Sequence, residues 1–118
     1  MRKLILILLF IPITSLADEW TKADTQRETV YLVLHTVDWL QTRNIARDHI
    51  RWHEYNPIIG KHPTIGRVNC YFALSTITHV YIVDSLPKEY RKAFQYFTIG
   101  FKGKLVYHNF HVGISAKF

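Results

Sequence analysis

The stretch QRETVYLVLHTVDWLQTRNIA, residues 26–46, decides the fold. Val30, Val33, Leu34, Val37, Leu40 and Ile45 recur in it mostly at three- and four-residue steps, and no glycine or proline interrupts them. That period is helical. Thr25, with Glu28 three positions later, reads as a capping box that opens the helix. The same stretch holds a second periodicity: His35, Asp38, Gln41 and Thr42 share one face of the helix.

Downstream, residues 48–66 are rich in breakers and charge, with Pro57, Gly60, Pro63 and Gly66. Val68 to Val83 then runs sixteen residues without Asp, Glu, Lys or Arg and ends at Asp84-Ser85-Leu86-Pro87. A proline is tolerated at a helix start, so a third helix is expected from Lys88 to about Val112, with Gly100, Gly103 and Gly113 as its weak points. Phe94, Tyr96, Phe97, Ile99, Phe101, Leu105, Val106 and Tyr107 are also good strand residues, which leaves a strand pair as the alternative for this segment. The expected class is all-α, a small bundle of three helices at about 26–46, 66–84 and 88–112.

Upstream, Met1-Arg2-Lys3 is positive, Leu4 to Ile13 is apolar, and Ser15 and Ala17 are the small residues that a signal peptidase reads. Residues 1–17 therefore read as a signal peptide or an N-terminal anchor, followed by a single domain over 18–118. The apolar run is near ten residues, where a spanning helix needs roughly 20. With Cys70 the only cysteine, no intrachain disulfide can form. An exported chain of this size must then be held by packing or by a membrane. Cys70 lies in the uncharged stretch and reads as a small buried hydrophobe rather than a nucleophile.

The net charge is +6, and Arg2 and Lys3 account for two of it. The remaining excess is modest and spread along the loop, and an exported chain would not meet DNA routinely, so no nucleic-acid partner is expected. Counted by connection, residues 18–28 hold two Lys or Arg, residues 43–67 hold five, and residues 84–92 hold three. An N-terminus inside would put the five-charge loop on the cytoplasmic side, as the positive-inside rule expects. Against this, mean hydropathy is −0.02. His35, Asp38, His79, Lys102 and Lys104 would each cost about 2.5 to 3.5 kcal/mol if central and unpaired in lipid. Two locations stay open on these grounds: a bundle in or on the inner membrane, or a soluble exported domain.

Ser75, Thr76 and His79 form a polar stripe on the second helix, and Gln95, Thr98, Lys102 and Asn109 one on the third. The stripes are either the solvent faces of surface helices or the walls of one internal hydrogen-bonded network. In the second case Asp38 is its charge, with Lys102 or His79 as the partner.

The loop 53–63, HEYNPIIGKHP, carries two X-Pro turns. His49, His53, Glu54 and His62 are weak candidates for a metal, since imidazole and carboxylate are ordinary zinc ligands. His49 and His53 lack the glutamate of the HExxH arrangement, and no metal or other cofactor is expected. There is no G-x-S-x-G elbow, phosphate loop or dinucleotide fingerprint, so the reading leans away from an enzyme.

With Asp38-Trp39-Leu40-Gln41-Thr42, Glu54-Tyr55-Asn56-Pro57-Ile58-Ile59-Gly60-Lys61-His62-Pro63, Arg67, Tyr71-Phe72, His79, Leu86-Pro87, Gln95 and Asn109, the chain resembles a small family of phage and proteobacterial exported or membrane proteins. Their shared motifs are D-x-x-Q-T and E-x-N-P-I-[LI]-G-x-H-P. The resemblance covers roughly residues 20–115 and carries no activity. It implies that Asp38, Gln41, Glu54, Asn56, His79 and Asn109 belong to one structural or functional set. Together with His35, Thr42 and Gln95, these are the candidate binding or polar-core residues. The expectation is a small envelope protein, at the inner membrane rather than free in the periplasm, with the membrane and an envelope protein as possible partners. The alternatives are a periplasmic metal-binding or hydrolytic domain using the His/Glu loop, and a soluble binding or inhibitory protein.

Overall fold

The computed structural model describes residues 19–48, 51, 52, 54, 56, 58–60 and 62–118. The signal or anchor segment 1–17 lies outside these residues, as do His49 and His53. Three α-helices and no strands occur among them: α1 (Lys22–Arg47), α2 (Ile65–Ser85) and α3 (Lys88–His111). The segment that could have paired as strands is helical, because the chain leaves Pro87 with φ −55° and the Arg91 N–H bonds back to the Pro87 carbonyl at 2.8 Å.

The first helix starts one turn earlier than expected. Thr21 is its N-cap, with the Thr21 hydroxyl accepting from the Asp24 N–H and the Asp24 carboxylate accepting from the Thr21 N–H. This reciprocal pair, and not Thr25 with Glu28, is the capping box. Thr25 and Glu28 sit inside the helix, and Glu28 is buried. Thr64 caps α2 by accepting from the Arg67 N–H. At the end of α3 the chain turns through Gly113, whose φ of 100° suits a residue without Cβ, and Ile114 tucks in, its N–H on the Asn109 carbonyl at 2.8 Å.

What α1 buries defines the bundle. Asp24, Glu28, Tyr31, His35, Asp38, Thr42 and Ile45 are buried at alternating steps of four and three, a heptad seam made mostly of polar side chains. α1 packs on both other helices, while α2 and α3 touch each other little. α2 runs antiparallel to α1, with Asn69 beside Trp39 and His79 beside Glu28. α3 runs parallel to it, with Arg91 beside Asp24 and Lys102 beside Asp38.

Among the described residues, ten buried side chains are polar or charged and eight are hydrophobic. The interior is therefore organised by partners rather than by an oily core. The continuous apolar cluster lies at one end, where Ile59 of the loop packs on Val68 and Phe72, with Trp39, Ala46 and Tyr71 around them. Many large apolar side chains face outward instead, among them Val30, Val33, Leu74, Ile77, Tyr96, Phe97 and Phe101. Cys70 is exposed and not buried, because it sits on the outer face of α2.

Candidate functional site

The polar seam is built in layers. In the first, the buried Arg91 donates to the Asp24 carboxylate at 2.9 Å and to the carbonyls of Val83, Glu19 and Asp84. Arg27, one turn along α1, also grips Asp24. Burial works against the Asp24 charge, but the Thr21 N–H, the Arg91 guanidinium and the Thr21 hydroxyl outweigh it and hold the carboxyl below its usual range.

Gln95 links this layer to the next. Its amide nitrogen donates to the Asp24 carbonyl and to Glu28, and its oxygen accepts from Arg27 at 2.8 Å. Glu28 accepts from Nδ1 of His79 at 2.7 Å, since a carboxylate can only accept, and Nε2 of His79 lies 2.9 Å from the Thr98 hydroxyl. The order carboxylate, imidazole, hydroxyl is that of a hydrolytic relay. Here it joins one residue from each helix, and the Thr98 hydroxyl donates to the Gln95 carbonyl of its own helix. This line therefore ties the three helices together.

In the third layer Tyr31 stacks on His79, and its hydroxyl lies 3.4 Å from Nδ1 of His35. Nε2 of His35 lies 2.9 Å from the Ser75 hydroxyl. Burial, with the Lys102 charge adding to it, pushes the His35 imidazole down to about 4, too weak a base to activate that serine near neutral pH. Burial, helped by the Glu28 charge, raises the Tyr31 phenol.

The fourth layer pairs Lys102 with Asp38 at 2.7 Å, and the Thr42 hydroxyl donates to the other Asp38 oxygen. Below it Gln41 donates to the Val106 carbonyl and accepts from Asn109. Asp38 thus pairs with Lys102, while His79 serves Glu28. The reading of the stripes as solvent faces does not hold: His35, Asp38, Gln41, Thr42, His79, Gln95 and Lys102 are all buried.

Glu54 and Asn56 stand apart from this seam, on the loop. Asn56 accepts from the Ile58 N–H and donates to the Tyr71 hydroxyl at 2.9 Å, and its own N–H donates to Glu54. A cavity of about 690 Å³ is lined by residues of all three helices and by described loop residues, with Glu54 and Asn56 on the same walls as Asp38, Thr42 and Asn109. The site candidates therefore divide into two groups that share Asp38, Thr42 and Asn109. His35, Gln41, His79 and Gln95 belong to the seam alone.

Asp24, Glu28 and Arg91 are not among the sequence candidates: Asp24 precedes the expected helix, Glu28 reads as a capping residue, and Arg91 reads as a connection charge. The signal was present: the four-and-three spacing extends back from Asp38 through His35 and Tyr31 to Glu28 and Asp24, and Arg91 stands one turn before Gln95. Among the described residues no group of three His, Cys, Asp or Glu side chains could hold a metal ion. Glu54 and His62 do not form such a site with any described neighbour, and their expected companions His49 and His53 lie outside the described residues.

Comparison of the chain with protein-family models, curated proteins and solved structures gave no match.

Proposed function

We propose that the chain is a small envelope protein that associates with the inner membrane, its polar network serving as scaffold and as the wall of a binding cavity. The observation that supports this reading is an uncharged belt around the bundle. In residues 28–42 of α1 and 93–103 of α3 the only charged side chains, Glu28, Asp38 and Lys102, are buried, and residues 68–83 of α2 hold none. The outward residues there include Val30, Val33, Leu74, Ile77, Tyr96, Phe97 and Phe101.

Charge returns on both sides of the belt, at Arg27, Asp84 and Lys92 and at Arg43, Arg67 and Lys104. At 1.5 Å per residue the belt is about 16 to 24 Å high, less than the roughly 30 Å of a hydrocarbon core. No described helix is long and apolar enough to cross a membrane. The reading is accordingly one of embedding in the interfacial region, where a bundle buries an apolar face and keeps its charged ends in the headgroups. An apolar surface this continuous is unusual for a chain that meets only water. The resemblance to exported or membrane proteins points the same way.

The test is flotation of the full chain with vesicles of bacterial lipid. The chain is expected to float and to stay bound through high-salt and carbonate washing, whereas Phe97→Asp together with Ile77→Asp abolishes flotation without loss of helix. Release of the unaltered chain by either wash refutes the reading.

A further inference from the structure

The two ends of the bundle differ in charge. α1 and α3 run parallel and α2 antiparallel, so the last turns of α1 and α3 share one end with the first turn of α2. Contacts across the helices fix that end. Arg43 donates to Asn69, two residues from Arg67, and Gln41 donates to the Val106 carbonyl, two residues from Lys104. Asn44 donates to the carbonyls of Ser115 and Lys117, which lays the tail against α1. Among the described residues this end carries six cations, Arg43, Arg47, Arg51, Arg67, Lys104 and Lys117, against the two carboxylates Asp48 and Glu54. The opposite end is nearly balanced, with Lys22, Arg27, Lys88, Arg91 and Lys92 against Glu19, Asp24, Asp84 and Glu89.

The cations of the two ends are also used differently. Arg27 and Arg91 both grip Asp24. Arg47, Lys104 and Lys117 are exposed and have no carboxylate partner among the described residues. Helix stability does not account for Arg67, which stands in the first turn of α2, where the helix dipole favours an anion and no acidic residue occurs. Exposed aromatic side chains accompany these cations: Tyr107 and Phe110 follow Lys104 on α3, and Phe118 lies under the Arg43 guanidinium. The apolar belt starts beside them at Phe101. Cations mixed with aromatics at the edge of an apolar surface match the layers of a bilayer, in which phosphates lie outside the acyl chains. A nucleic acid would answer the cations and leave the belt in water.

We infer that the basic end is a docking face for anionic phospholipid of the phosphatidylglycerol type, and that it selects which end of the bundle meets the headgroup phosphates. The inference rests on the membrane reading above and adds the charge of the lipid and the orientation of the bundle. The belt supplies an affinity that any bilayer satisfies, whereas the unpaired cations add one that only an anionic surface satisfies. Lys102 takes no part, because its charge is closed on Asp38.

The test is cosedimentation of the full chain with vesicles of phosphatidylcholine, alone or doped with phosphatidylglycerol, at low and at high salt. Doping is expected to tighten binding at least about tenfold at low salt, and high salt to erase the preference while leaving the chain bound. Arg47→Gln together with Lys104→Gln weakens binding to the doped vesicles about 25-fold, at about fivefold for each cation near the surface. Lys22→Gln together with Lys92→Gln removes the same charge from the other end and changes binding less than about twofold. All four residues are exposed, so the interior is untouched, and circular dichroism checks the helix content of each variant. Equal binding to the two kinds of vesicle overturns the inference and leaves the membrane reading standing. Equal weakening by the two double variants also overturns it, since net charge and not the basic end is then what the lipid reads. A duplex DNA oligonucleotide that binds the chain tighter than the doped vesicles do assigns the face to nucleic acid and overturns the inference as well. Binding to the doped vesicles alone, reversed by high salt, supports the basic end and removes the embedding of the belt, and binding to neither removes both.

Discussion

Lys102 and Asp38 meet at 2.7 Å with each side chain nine-tenths buried, and the Lys102 ammonium also lies 5.6 Å from the centre of the Phe72 ring. A buried pair of this kind is costly to break and cheap to replace whole, because the penalty comes from the charge left without its partner. Asp38→Leu and Lys102→Met are each expected to cost about 3 to 5 kcal/mol of stability. The double variant should cost much less than the sum, and a double-mutant cycle by chemical denaturation reads the coupling directly. Additive losses would show that the pair does not interact in the folded protein.

Arg91 is expected to be less forgiving than Lys102. It is fully buried and donates to one carboxylate and three backbone carbonyls, at Asp24, Val83, Glu19 and Asp84. Arg91→Lys keeps the charge and loses the planar fork, so it should recover little of the stability lost in Arg91→Leu. Thermal unfolding of the two variants checks this. A lysine variant as stable as the parent would show that the carbonyl contacts contribute little.

Acidification should loosen the bundle in two stages. His35 is held at about 4 in the folded chain against 6.5 in the open one, so between these values the unfolded chain binds more protons. Its contribution is full above pH 6.5 and declines as pH falls toward 4. Asp24 has the opposite chemistry and the same direction of effect: its carboxyl is lowered from 3.8, so the stability it adds is present above that value and is lost as pH falls below it. Unfolding midpoints measured across this range should fall in both windows, and His35→Gln should flatten the upper one.

The cap at Thr21 gives a smaller effect. Thr21→Ala removes one half of the reciprocal pair with Asp24 and is expected to cost about 1 kcal/mol. Thr25→Ala, at the position that the sequence pattern nominated, loses no cap and should fall within about 0.5 kcal/mol of the parent, as surface changes do. Melting temperatures of the two variants rank the caps.

The helices themselves were legible because their signals are local: breakers on either side of the uncharged stretch, a proline at the start of α3, and three- and four-residue steps throughout. Which face turns inward was not. In α1 both a polar and an apolar stripe keep helical spacing, and the usual preference for burying Val30 and Val33 fails, since both are exposed. The choice was made by long-range partners such as Arg91 for Asp24, which lie 67 residues apart and have no local trace. Asp38 with Lys102 was readable as one of two options because both stand among apolar neighbours. The gathering of Glu54 and Asn56 with Asp38 and Asn109 around one cavity depends on how the loop folds back, which residue spacing does not encode.

α1 touches both other helices while these hardly touch each other, so the interior is complete only when both have docked on α1. α1 and α2 emerge first and can join through Trp39 with Asn69 and His35 with Ser75. Without α3, Asp24 keeps Arg27 of its own helix and Asp38 keeps the Thr42 hydroxyl, and both lack their cross-helix cations. Arg91 and Lys102 both come from α3, so closure of the polar interior waits for that helix to dock.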